Sequence, residues 1–196
     1  MKKGDIIKFG NYPQDSDGNK APIEWLVLDF NEKTEEALLI SRYGLDCRQY
    51  NREWVGITWE DSNLRTWLNN GFIKTAFSEN EIKKIKDSEL ENKGQPEYKT
   101  RGGNDTRDRI FCLSIDEAKQ YFNSDNDRLC LPTPYARNQG VYVNDNGYCY
   151  WWLRSPGNYQ RSAVIVNSSG ALDLHGDIVH DGKYIVRPAL RIETTF

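Results

Sequence analysis

Histidine is nearly missing from this chain: its 196 residues include only His175 and His180. They stand five positions apart in Asp173-Leu174-His175-Gly176-Asp177-Ile178-Val179-His180. On one extended segment that spacing points the two imidazoles to opposite faces, unless Gly176 inserts a bulge. A histidine metal centre is therefore not expected, and neither is any bound cofactor. No G-x-S-x-G elbow accompanies either histidine, so a serine hydrolase lacks its signature. Gly102-Gly103 is followed by no G-K-[ST], which removes a P-loop. The cysteines Cys47, Cys112, Cys130 and Cys149 form no C-x-x-C pair and read as reduced and partly buried, with Cys112 packed as a small hydrophobe in Ile110-Phe111-Cys112-Leu113. Charge of one sign is also lacking. A net charge of -3 gives no general attraction to nucleic acid or to an anionic membrane surface. No apolar run approaches the roughly 20 residues a spanning helix needs. No apolar stretch follows Lys2-Lys3, so as written the chain is expected to be cytoplasmic, or secreted if a leader has been removed. Asp15-Ser16-Asp17-Gly18-Asn19 starts like a calcium loop, but its glycine is misplaced, and it reads as a plain turn.

What is present is aromatic weight: six Trp and eleven Tyr in a chain that is 38% hydrophobic and 28% charged. Length and composition fit one domain over residues 1–196. Asp5–Phe9 reads as a strand broken at Gly10, and Ile23–Phe30 with Glu36–Ser41 as a hairpin. Thr58-Trp59-Glu60-Asp61 resembles a capping box, with Leu64, Trp67, Leu68 and Phe72 at helical spacing and Asn69-Asn70-Gly71 as the stop. Ser78 with Glu81, and Ser114 with Glu117, open two further helices. Between them residues 87–108 are strongly polar and read as a long, mobile loop. The C-terminal third reads as a meander: Ser162–Val166, Ala171–His175, Asp177–His180 and Tyr184–Ile192. Pro188 places the last of these at an edge or a bulge. Strands, then helices, then strands argue for an α+β fold with two or three helices on antiparallel sheets.

The densest stretch is Trp151-Trp152-Leu153-Arg154-Ser155-Pro156-Gly157. Adjacent strand residues face opposite ways, so one indole is expected in the core and the other against a further layer, a partner or a ligand. Arg154 precedes a Pro-Gly turn and is a candidate ligand contact, with Tyr148, Tyr150 and Tyr159 nearby. Arg187, in Val186-Arg187-Pro188-Ala189-Leu190, must be paired or stacked if buried. It is expected to serve the structure, with Pro188, by stacking on a Trp and pairing with a carboxylate.

These motifs resemble a bacterial domain family of unknown function. The resemblance rests on Trp-Trp-Leu-Arg-Ser-Pro-Gly at 151–157 and Val-Arg-Pro-Ala-Leu at 186–190. It extends through Phe9-Gly10-x-Tyr12-Pro13-Gln14, Pro22-Ile23-x-Trp25, Thr58-Trp59-Glu60-x-Ser62-x-Leu64-Arg65-x-Trp67-Leu68-Asn69 and Asp108-Arg109-Ile110-Phe111-x-Leu113-Ser114. Tyr184-Ile185 departs from it, where the family tends to have glycine. More remotely, Arg128-Leu129-x-Leu131-Pro132-Thr133 and the aromatic segment resemble C-type-lectin-like domains. That likeness implies a compact fold whose first and last strands pair and whose loop-rich face holds a ligand. Formylglycine-generating enzymes share that fold, but Cys130 and Cys149 do not match their reactive cysteines. Gln95-Pro96-Glu97 and Val143-Asn144-Asp145 only echo the calcium-lectin motifs, and calcium is not expected. The resulting expectation is a non-catalytic module that binds a protein or a saccharide through Trp151 or Trp152, Arg154, Tyr148, Tyr150 and Tyr159. The alternative is an enzyme, a hydrolase or a metal-assisted oxidase, centred on His175 and Asp177 or on the cysteines.

Overall fold

The computed structural model describes residues 1–194. In chain order the first strands are β1 (Ile6–Pro13), β2 (Lys20–Asn31), β3 (Glu36–Ser41), β4 (Asp46–Cys47), β5 (Ile85–Lys86), β6 (Ser88–Leu90), β7 (Thr106–Asp108) and β8 (Ile110–Phe111). The rest are β9 (Trp151–Pro156), β10 (Ser162–Val166), β11 (Leu172–Ile178), β12 (Ile185–Val186) and β13 (Ala189–Glu193). Short helices intervene: α1 (Asn63–Trp67), α2 (Ile73–Ala76), α3 (Glu79–Lys84), α4 (Ile115–Tyr121), α5 (Asp125–Arg128) and α6 (Pro134–Arg137). The architecture is α+β, with almost entirely antiparallel sheets.

One sheet runs β1-β2-β3-β13-β5, with β8 also paired to β13. The terminal strands thus share a sheet but do not pair, because β2 and β3 lie between them. Gly10 does not end β1 as its sequence context suggests. It takes φ +68, the register slips between Lys8 and Asn11, and the strand resumes to Pro13. A side chain at Gly10 would meet the Phe77 ring at 2.5 Å, so only glycine lets the two pack.

The second sheet runs β11-β10-β9-β12-β4, and β12 lies parallel to β9 through Ile185 and Trp151. The expected last strand, Tyr184–Ile192, is in fact divided. β12 belongs to the second sheet and β13 is an inner strand of the first, so Pro188 marks a change of sheet rather than an edge. Pro188 has no N–H to give, but its carbonyl accepts from Ser41 N at 2.9 Å. The two strands expected at 171–180 are one, β11, bulged where Gly176 takes φ +69.

Local capping chemistry opens the helices. Ser78 with Glu81 and Ser114 with Glu117 both make reciprocal boxes. Thr58 makes no cap; Ser62 opens α1 by accepting from Arg65 N at 3.1 Å. The helix does not stop at Asn69-Asn70-Gly71 but passes through a π turn, Leu68–Phe72, into α2. Asn69 is occupied elsewhere: its amide donates to Ile110 O at 2.8 Å and its oxygen accepts from Arg109 N at 2.9 Å. Residues 87–108 form an arm closed at its base by β6 and β7 and tied down at buried Gln95, which donates to Leu174 O at 3.1 Å. Among the described residues no helix is long and apolar enough to cross a membrane.

Candidate functional site

β9 is buried along its whole length. Both indoles are 0% exposed, so the expectation of one indole free for a ligand is corrected. The parity argument holds, but each face of β9 is covered. On one side Trp151 donates to Arg128 O at 3.1 Å and meets Phe122. On the other Trp152 donates to Arg48 O at 2.8 Å and packs on Tyr50 and Tyr184.

Arg154 is also interior, its side chain 3% exposed and paired with Glu117. Its remaining donors go to Asn92 Oδ1 at 3.1 Å, Cys112 O at 3.0 Å and Glu91 O at 3.3 Å. The guanidinium fork is used up in joining β9 to α4 and to the 87–108 arm. A cleft of about 400 Å³ opens beside it, where Arg154 pairs with Glu117 and Lys93 bridges Glu91 and Asp116. Tyr148 and Tyr150 are half-buried, and Tyr150 packs edge-on to Tyr142 and Tyr184.

Arg187 stacks on Trp151 at 5.1 Å and on Phe122 at 5.5 Å, and donates to Ser41 O and Arg128 O. The expected carboxylate is not there: no acidic side chain pairs with Arg187 among the described residues. The ionisable groups acting with it are Cys130 and Cys149. The Cys149 thiol lies against the Cys130 carbonyl at 3.1 Å and against the Cys130 sulfur. Burial acts to raise the Cys130 pKa, but the Cys149 hydrogen bond and then the Arg187 charge outweigh it and bring it to about 7. Burial first, then Cys130, holds Cys149 protonated.

This arrangement fixes a pH dependence. The folded value of Cys130 lies below that of the free thiol, so its stabilisation is full above pH 9 and is lost as pH falls through about 7. Wild-type protein is expected to gain on the order of 1–2 kcal/mol from this group across that window in urea melts. Cys130→Ser should lack the gain. Equal slopes for the two proteins would mean that Cys130 is a thiol throughout. Burial pushes Cys47 and Cys112 up to about 12, so they act oppositely, costing stability only above pH 9.

The histidines are not brought together. His175 is exposed and faces Tyr98 Oη at 3.1 Å, while His180 packs on Trp54 at 5.8 Å. Asp177 accepts the Tyr184 hydroxyl, and burial and then this bond push the Tyr184 pKa far up. Among the described residues no three His, Cys, Asp or Glu side chains are grouped to hold a metal ion.

Of the residues expected to form the ligand-binding face, Tyr159 alone is exposed, at 63%, and it has company the sequence did not announce. Trp54 is 58% exposed, and the Arg161 guanidinium stands 4.8 Å from its ring and 5.8 Å from that of Tyr159. Exposed Val55 and Ile178 adjoin them. The backing is rigid: Ile57 N donates to Gln160 O at 2.8 Å and Val179 N to Arg161 O at 3.0 Å. The only hint in the sequence was an indole set among Arg52, Glu53 and Gly56, with no apolar periodicity around it.

No curated protein and no solved structure matches this chain. Residues 34–194, most of its length, match the model of a family described as a domain of unknown function (DUF6273), and the protein belongs to that family.

Proposed function

We propose that the protein is a non-catalytic protein-binding module whose docking face is formed by Trp54, Tyr159 and Arg161. The observation that carries this reading is the exposure of two large aromatic rings on either side of one arginine. Trp, Tyr and Arg are the residue types that dominate binding energy at protein interfaces. Ring stacking restrains Arg161, which lowers the entropy lost on docking. A small saccharide would favour a concave site. Trp54, Tyr159 and Arg161 do not line the cleft beside Arg154. An enzyme around His175 and Asp177 draws no support from the geometry, since Asp177 is engaged by Tyr184 and His175 opposes Tyr98. We infer a C-type-lectin-like kinship as well; the arm at 87–108 supports it, while the terminal strands share a sheet without the pairing that the likeness implies.

The test compares wild type with a Trp54→Ser, Tyr159→Ser double variant. Both side chains are exposed, so each change should leave stability within about 0.5 kcal/mol. Affinity capture from cell extract should retain a defined protein on wild type and lose it on the variant. The purified pair should then bind at least about 100-fold more weakly when both rings are removed. Matching captures from the two baits would sink the reading. So would a glycan array in which saccharide binding depends on the same two residues.

A further inference from the structure

Beside β4 lies a cleft that the protein-binding reading does not use. It has a volume of about 220 Å³, and its lining contains Arg48, Arg52, Asn63 and Trp67 but no carboxylate. That is unusual on a chain whose net charge is -3.

Arg48 is fixed in place but only partly partnered within the protein. Its guanidinium lies 4.0 Å over the Trp67 ring, which fixes its plane. The backbone beneath is anchored, since Arg48 O accepts from the core indole of Trp152 at 2.8 Å. Yet Arg48 Nε is shielded from solvent and has no hydrogen-bond acceptor. Asp46 Oδ2 lies 3.3 Å from it but out of line, and that oxygen already accepts from Tyr12 Oη at 2.5 Å. Among the described residues the terminal nitrogens of Arg48 donate to nothing. Arg52 pairs with no carboxylate among them either. Asn63 takes Arg52 N on its oxygen at 2.9 Å, which leaves its amide nitrogen as a spare donor.

The other groups nearby do not compete. Cys47 donates to Gly182 O at 2.9 Å, and burial, then Asp46, keep it protonated with its pKa at about 12. Asp46 and Asp181, the carboxylates that act on Cys47, are not in the lining of the cleft. Asp46 offsets part of the Arg48 charge, and Arg52 is left uncompensated.

We propose that this cleft binds an oxyanion, the carboxylate or phosphate group of a small ligand, in the fork of Arg48 with Arg52 and Asn63 completing the shell. A fixed guanidinium plane with free N–H groups matches the two oxygens of such a group. The volume, 220 Å³, falls below the range of drug-sized pockets and suits one anionic group. The cleft shares no residue with the Trp54 face, so either reading can fail without the other.

Calorimetric titration of the intact protein at constant ionic strength tests the site, with inorganic phosphate in one arm and acetate in the other. Saturable binding of at least one anion is expected, and the arm that binds names the ligand class. Arg52→Ala should weaken it about tenfold. Arg48→Lys keeps the charge but loses the planar fork, and should weaken it to a similar extent. Arg42→Ala, on a surface arginine paired with Glu24 outside the cleft, should change nothing. Near-ultraviolet circular dichroism checks that each variant keeps the native fold. The proposal is overturned if neither anion binds at tens of millimolar, or if Arg52→Ala and Arg48→Lys bind as wild type does.

Discussion

Arg154→Met is expected to destabilise the protein by about 3–5 kcal/mol. The substitution removes one end of an ion pair whose arginine is 3% exposed and whose glutamate, Glu117, is 20% exposed. It also strips hydrogen bonds from Asn92 Oδ1, Cys112 O and Glu91 O, of which Cys112 O lies in the interior. The dominant cost is the Glu117 carboxylate left without its cation. Adding Glu117→Gln should therefore restore part of the loss, although it weakens the cap on Ser114 N. Urea melts of the four proteins in the cycle give the coupling directly. A favourable coupling of about 1 kcal/mol or more is expected from an interior pair. An Arg154→Met protein within about 1 kcal/mol of wild type would show that the fork is not structural and would return Arg154 to the list of ligand contacts.

Trp152→Ala should cost a similar amount, about 3–5 kcal/mol, by opening a cavity between Tyr50 and Tyr184 and orphaning Arg48 O. Trp152→Phe should recover most of it, keeping a ring but losing the hydrogen bond, which is worth about 1 kcal/mol. Trp151→Ala should be equally severe, because it also removes one of the two rings on Arg187. Thermal midpoints of these variants should fall well below that of Trp54→Ala, whose side chain is exposed. If Trp152→Ala melted with the wild type, the indole could not be part of the core.

The contrast between Trp152 and Trp54 shows what the chain makes legible. Ser78 with Glu81 and Ser114 with Glu117 could be read because a capping box lies within four residues. Ser124 with Asp127 is the same device, with Asp in place of Glu inside a polar run that carries no apolar periodicity. Strand parity correctly sent the two indoles of β9 to opposite faces. It could not reveal that Tyr50 and Tyr184, far off in sequence, cover the second face. The same limit hid Glu117 from Arg154 and Trp54 from Arg161. It also made Asn69 look like a helix stop, when its amide reaches Ile110 across the fold. The missing N–H of Pro188 by itself points to an edge or a bulge, whereas the chain crosses there between two sheets.

That crossing bears on how the protein is made. β13 is bordered by β3 on one side and by β5 and β8 on the other, yet it is translated after all three of them. Until it arrives, Glu36–Ser41 and Ile110–Phe111 lack their shared neighbour, and the first sheet cannot close. Assembly must wait for contacts between residues far apart in sequence, which favours slow folding. A nascent chain stalled before Ala189 would present unpaired strand edges, the kind of surface that chaperones retain and that aggregates when they do not.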